Sequence, residues 1–251
     1  MNNNSTPGIS IITATYNSEK TIKESIDSIL SQTFKNFEIN IIDGLSSDKT
    51  LSIINDYNDS RIKVYSEKDK GIFDALNKGI EKSNGDIIGF LHSDDFFADR
   101  NTLDSIFRNF EHEIHGIYGN LRYVSSNNPE RIIRNWVSKP FKHSSLKYGW
   151  MPPHPSLFLR KSVYDKHGNF NLDYKVSSDY DFIVRIFKDS SLSFKYIPYT
   201  ITNMKLGGNS NRDLKNIIIK LSEDYSIIRK NEIGNINTLL GKNFSKISQF
   251  F

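Results

Sequence analysis

The 251-residue chain contains no cysteine. Disulfides, thiolate metal sites and thiol nucleophiles are thereby excluded, and a reducing compartment is allowed. Long apolar runs are also missing, and no stretch approaches the ~20 residues that a membrane-spanning helix needs. The first residues, Met1-Asn2-Asn3-Asn4-Ser5, have neither the basic nor the apolar region of a signal peptide. Both absences predict a cytoplasmic protein. Proline is scarce, yet Pro152, Pro153 and Pro155 fall within four positions. Proline fixes φ and donates no hydrogen bond, so residues 150–156 are predicted to form a shaped loop. No nucleic-acid-binding motif is present, so the net charge of +4 is not assigned to nucleic acid.

What is present suits a soluble globular protein with a core: 37% hydrophobic and 25% charged residues, with 17 Phe and 12 Tyr. The charge is uneven. Residues 1–100 carry 11 Lys+Arg against 16 Asp+Glu, and residues 101–251 carry 22 against 13, balances of −5 and +9. A basic second half can meet substrate phosphates or an anionic membrane surface.

Residues 87–91, Ile-Ile-Gly-Phe-Leu, read as a buried strand followed by His92-Ser93-Asp94-Asp95. Apolar residues on both faces suit a parallel sheet covered by helices. Three similar strands precede it (8–15, 37–42 and 62–65), separated by segments with helical apolar spacing. Asn17 or Ser18 is the expected cap of the first helix. Four alternations predict a parallel, three-layer unit. Beyond residue 110 the pattern changes to close-set strands at 116–120, 121–125, 131–137 and 157–160, which suit antiparallel additions. Helices are expected at 179–187 and 214–229.

In a parallel sheet the strand ends carrying Thr13, Tyr16 and Asn17, then Asp43, then Asp94 and Asp95 line one crevice. Two adjacent carboxylates repel unless a cation or donor lies between them; they read as a divalent-metal site or as a helix cap. Asp43 either accepts from the N–H of a base or closes an Asx turn.

Residues 11–17 (IITATYN), 41–50 (IIDGLSSDKT) and 93–95 (SDD) together resemble the successive signatures of family 2 inverting glycosyltransferases of the GT-A fold. Residues 69–80 (DKGIFDALNKGI), His154-Pro155 and Ser178-Asp179-Tyr180-Asp181 with Arg185 are similar to the branch that builds bacterial polysaccharides. The resemblance spans residues 9 to about 210. It implies a GT-A, Rossmann-like α/β/α fold with a mixed central sheet. The catalytic domain would cover 1–210, with a nucleotide-binding half at about 9–100 and an acceptor-binding half at about 101–210. A helical extension would follow at 211–251.

The implied reaction moves a sugar from a nucleotide-diphosphate sugar, UDP by default, to a hydroxyl of a glycan or lipid-linked acceptor of cell-surface polysaccharide. Thr13, Tyr16, Asn17, Asp43, Lys70 and Asp94 would bind the nucleotide. Asp95 would hold Mn²⁺ or Mg²⁺, with His154 as a further ligand or an acceptor contact. Asp179 would be the general base, with Asp181 as the alternative because Ser178 replaces the family's usual glutamate. Gly207, Gly208 and Asn209 would form a loop at the diphosphate or acceptor. Lys70 and His154 also have bland readings, as a solvated lysine and a packed histidine. Two other classes compete: a nucleotidyltransferase, disfavoured because residues 13–18 lack a glycine-rich basic loop, and a non-catalytic sugar-nucleotide-binding protein.

The C-terminal segment carries an apolar stripe (Leu214, Ile217, Ile218, Leu221, Tyr225, Ile228) flanked by Lys215, Lys220, Arg229 and Lys230. Peripheral docking on the inner face of the membrane, packing on the catalytic domain and pairing with a second copy all fit such a stripe.

Overall fold

The computed structural model describes residues 7–206 and 214–244. Four strands, β1 (Ile9–Thr15), β2 (Phe37–Asp43), β3 (Ile62–Ser66) and β4 (Ile87–Phe90), run parallel in the order β3-β2-β1-β4. Helices α1 (Ile22–Leu30), α2 (Thr50–Asn55) and α3 (Ile72–Lys82) make the crossovers.

The two-residue period of the strands sorts their isoleucines into two layers. Ile9, Ile11, Ile39 and Ile41 pack with Ile22, Ile26 and Ile29 of α1 and Ile54 of α2. Ile12, Ile42 and Ile88 face the other way, onto Ala75, Leu76 and Ile80 of α3. The close approach of α3 to the sheet depends on Gly79, where a Cβ would stand 2.3 Å from the Ile12 side chain. These layers match the three-layer unit expected from the sequence.

One polar exception fixes the entry to β4. Glu38 of β2 is 3% exposed and accepts from Ser10 Oγ at 2.7 Å, Asn84 N at 2.6 Å and Lys63 Nζ at 2.6 Å. Burial alone would raise its carboxyl, but these donors outweigh burial and hold it at about 2.

The second half comprises β5 (Phe96–Phe97), α4 (Thr102–Asn109), β6 (Gly116–Ser125), β7 (Ile132–Trp136), β8 (Leu157–Arg160), α5 (Lys161–His167), α6 (Ser178–Lys188) and β9 (Phe194–Leu206). The sheet continues β4-β8-β6-β9-β5, with β7 on β6. Strand β8 is antiparallel to β4 and β6, whereas β9 is parallel to β6. Two expectations are corrected. Residues 116–120 and 121–125 form one strand, whose register against β9 breaks between Tyr118 and Leu121. Strand β9 has no counterpart in the sequence reading, because Pro198 interrupts it. Tyr118 pairs Tyr196 and Asn120 pairs Thr200, so the proline falls in the bulge, where a missing donor does no harm.

Helices α7 (Leu214–Lys230) and α8 (Ile236–Phe244) close the described chain. Ile227, Ile228, Ile233 and Leu239 are buried in the core that also holds Tyr180, Phe182 and Ile183 of α6. Of the predicted stripe only Ile228 enters this core, together with its neighbour Ile227, so the buried side of α7 is not the one expected from the sequence. Ile217, Ile218, Leu221 and Tyr225 stay exposed. Among the described residues no helix is long and apolar enough to cross a membrane.

Candidate active site

The register of the parallel strands sets the site. Thr15 pairs Asp43, which pairs Ser66, and Ile12 pairs Phe90, so the carboxyl ends of β1, β2, β3 and β4 open side by side. A cleft of about 920 Å³ lies there, lined by Tyr16, Asn17, Asp48, Asp69, Ser93, Asp94 and Lys205 among others. Tyr16 is 64% exposed at its mouth.

Asn17 adopts φ +49°, a left-handed conformation that asparagine tolerates. Its Oδ1 accepts from Ser47 N at 2.9 Å and its N donates to Ser46 Oγ at 2.8 Å, which ties the β1 loop to the β2 loop. Ser18 and Ser93 hydroxyls meet at 2.9 Å, linking the β4 loop to the same frame. These duties replace the helix-cap role expected for Asn17 or Ser18, because α1 starts only at Ile22, after Thr21.

Thr13 is fully buried in β1, with no partner for its hydroxyl, and does not line the cleft. Asp43 is also buried. It accepts from Ser46 N at 3.1 Å, Ser46 Oγ at 2.5 Å and Ser66 Oγ at 2.6 Å, which is the geometry of the turn reading. It lines neither this cleft nor the smaller cavity beside it. Gly44 follows because a Cβ there would lie 2.6 Å from Asp69 Oδ2. Asp69 itself lines the cleft, a role the sequence reading did not give it. Lys70 is exposed and outside the lining; its N–H donates to Asp74 Oδ2 at 2.9 Å.

Asp94 stands on the cleft wall, while Asp95 behind it is 1% exposed. Asp95 Oδ1 accepts weakly from Lys205 N at 3.3 Å, and its Oδ2 has no partner. Burial first, and then the neighbouring Asp94, push the Asp95 carboxyl well above the usual carboxylate range. An orphaned buried oxygen beside a second carboxylate fits a hard cation that takes its remaining ligands from a bound diphosphate. Among the described residues no cluster of three His, Asp or Glu forms a complete protein cage. Lys205 was not anticipated: it lines the cleft, and its ammonium pairs with Glu24 of α1.

A second cavity of about 410 Å³ shares Ile72 with the first and is lined by Asp179, His92, His154, Tyr123, Trp136 and Met204 among others. His154 packs against Phe90 and Phe170, with ring centroids 5.0 and 5.4 Å apart. Its Nε2 has no partner, and burial pushes its pKa down to about 4. Asp179, in the first turn of α6, faces this cavity. Asp181 does not line it; Arg185 Nε donates to Asp181 Oδ2 at 2.9 Å, and Arg185 also donates to the carbonyl of Asn169. Gly207, Gly208 and Asn209 lie outside the described residues.

Residues 10–176 match the model of the glycosyl transferase family 2. The chain belongs to this family. The glycosyltransferase is 30% identical over 211 residues to a PGL/p-HBAD biosynthesis glycosyltransferase of Mycobacterium bovis (strain BCG / Pasteur 1173P2), covering 82% of this chain and 80% of that one. It is 28% identical to the UDP-Glc:alpha-D-GlcNAc-diphosphoundecaprenol beta-1,3-glucosyltransferase WfgD of Escherichia coli, covering 82% of each chain. Two solved structures share the GT-A fold. S. aureus TarS 1–349 in complex with UDP-GlcNAc matches with a TM-score of 0.69 at 19% identity, over 94% of this chain and 72% of that one. The mannosyltransferase PcManGT from Pyrobaculum calidifontis, in complex with GDP-Man and Mn²⁺, matches at 0.66 and 17%, over 90% and 64%.

Proposed function

We propose that this glycosyltransferase is an inverting, metal-dependent hexosyl- or N-acetylhexosaminyl-transferase with a UDP-sugar donor and a glycan or lipid-linked acceptor. The observation that carries the reading is a pair of neighbouring cavities that share Ile72 in their walls, with Asp94 lining the larger, Asp95 buried beside it, and Asp179 lining the smaller. The donor's nucleotide occupies the larger cleft, near Tyr16, Asn17, Asp43 and Asp94. Thr13 supports the strand beneath it. Asp95 and Asp94 hold Mn²⁺ or Mg²⁺, which supplies Lewis-acid stabilisation of the departing diphosphate. PcManGT, a neighbour of the same fold, is seen with Mn²⁺.

The acceptor enters the smaller cavity over Tyr123 and Trp136, and its hydroxyl gives its proton to Asp179 as it attacks the anomeric carbon. His154, buried and neutral at pH 7, is assigned to the acceptor wall and not to the metal. Among the rival readings, a non-catalytic binding protein has little use for Asp179. A panel of nucleotide-sugars with Mn²⁺ tests the function by release of free nucleotide. Release from a UDP-sugar supports the reading, and release from no member contradicts it.

Asp43 admits a sharper test. As a base contact, its loss in Asp43→Ala is expected to weaken nucleotide binding by about 1.5–3 kcal/mol. A turn role alone would lower Tm and leave the affinity of the folded fraction unchanged.

The exposed side of α7 supports peripheral contact at the inner face of the membrane. Ile217, Ile218 and Leu221 are open, and each nearby basic residue would add about 1 kcal/mol on anionic lipid. The protein is expected to float with anionic vesicles at low salt. If it does not, this side is left to a second copy of the chain.

A further inference from the structure

The helix that carries Asp179 does not hold its own N-terminus. Helix α6 begins after Ser177 with no side-chain cap of its own. The segment leading into it is instead gripped by Glu223, 46 positions away on α7. Glu223 Oε1 accepts from Lys175 N at 2.8 Å, and Oε2 accepts from Val176 N at 3.0 Å and Ser177 N at 2.9 Å. Three charge-assisted bonds from consecutive backbone N–H groups to one carboxylate fix the path of that segment. Lys175, Val176 and Asp179 all line the acceptor cavity, as does Asn216 of α7.

A second set of contacts lies beneath the same turn. Asp224, fully buried, pairs with Lys242 of α8 at 2.6 Å and with Lys220 at 3.2 Å. Both cations hold its carboxyl below the usual range against the opposing effect of burial. The Lys242 ammonium sits 3.4 Å from the centroid of the Tyr180 ring, the residue next to Asp179. A buried pair of this kind is poor as pure stabilisation but good at enforcing one arrangement.

We propose that Glu223, backed by the Asp224–Lys242 pair, is a positioning residue. It makes the C-terminal helices a working part of the active site by setting Asp179 against the acceptor. This rests on the reading of Asp179 as the general base. Misplacement by about 1 Å costs on the order of 100-fold in rate without touching a reacting atom.

Glu223→Gln keeps the size but loses the charge, and its NH₂ group opposes one of the three N–H donors. The expected result is a fall in kcat for transfer of about 10- to 100-fold. The KM for donor and the slow acceptor-independent release of nucleotide should stay as in the wild type. Glu223→Asp, one methylene shorter, should restore part of the rate. Loss of both activities in proportion to folded protein would mean a merely structural role and overturn the proposal, as would an unchanged kcat. If Glu223→Gln fails to fold, Lys242→Met is read by the same split between kcat and KM. Asp179→Asn run in parallel separates the two claims. If it keeps full transfer, the base reading fails. If it is inactive while folded Glu223→Gln is fully active, only the positioning proposal fails.

Discussion

Asp179→Asn is expected to lower kcat for sugar transfer by roughly 10²- to 10⁴-fold while leaving donor affinity unchanged. The carboxylate faces the smaller cavity, apart from the residues that line the larger cleft. Its neighbours offer no good substitute. Burial holds His154 at about 4, which makes it a weak base at neutral pH, and burial also lowers His92 from the ordinary histidine value. Asparagine keeps the volume of the side chain but cannot take a proton. Asp181→Asn is the contrasting arm. Arg185 there would lose its charged partner inside the fold, so reduced stability is expected, with kcat per folded molecule preserved. Equal kcat losses in the two variants would contradict the assignment.

Asp95→Asn is expected to abolish most metal-stimulated activity and yet to raise the Tm of the metal-free protein. Both effects come from one fact: a carboxylate with an unpartnered oxygen is buried beside Asp94. In the folded state its pKa lies well above the ordinary value. The folded protein thus binds this proton more tightly than the unfolded chain does. Stability of the metal-free protein therefore falls as pH rises through the ordinary carboxylate value towards the raised one. Asparagine removes that slope. Saturating Mn²⁺ should raise the Tm of the wild type at neutral pH and not that of Asp95→Asn. Because Asp95 is 1% exposed, its replacement acts on the stability of the fold as well as on the cation. A lower Tm in Asp95→Asn, with activity retained, would refute the cation role.

The first half of the chain was legible because each of its strands is a short isoleucine-rich run that ends in a polar residue. Period-two burial on both sides left one arrangement, with helices on each face. Asp94 and Asp95 could be found for the same reason, since a strand end fixes where its next residues go. Asp43 shows the limit of that logic. Its position was predictable, but its three hydrogen bonds include Ser66 from β3, a partner no local pattern reveals.

The second half was less legible. Strand β9 carries Pro198 inside it and pairs mostly with one distant strand, β6. Tyr123 and Met204 meet only through that long-range pairing, whereas Trp136 arrives by the nearer β6–β7 pairing, so the cavity they line together had no single local signal. Glu223 carries no local signal of its role. Its bonds to residues 175–177 exist only because α7 folds back onto α6.

Inverting transfer by one displacement is tested most directly by the stereochemistry of the product. The measurement is proton NMR of the anomeric signal at early times, with a UDP-sugar of α configuration and an accepted hydroxyl. A single carboxylate base at Asp179 and no covalent intermediate predict a β-linked product from the first turnovers. An α-linked product, formed at the same rate by wild type and Asp179→Asn, would contradict it.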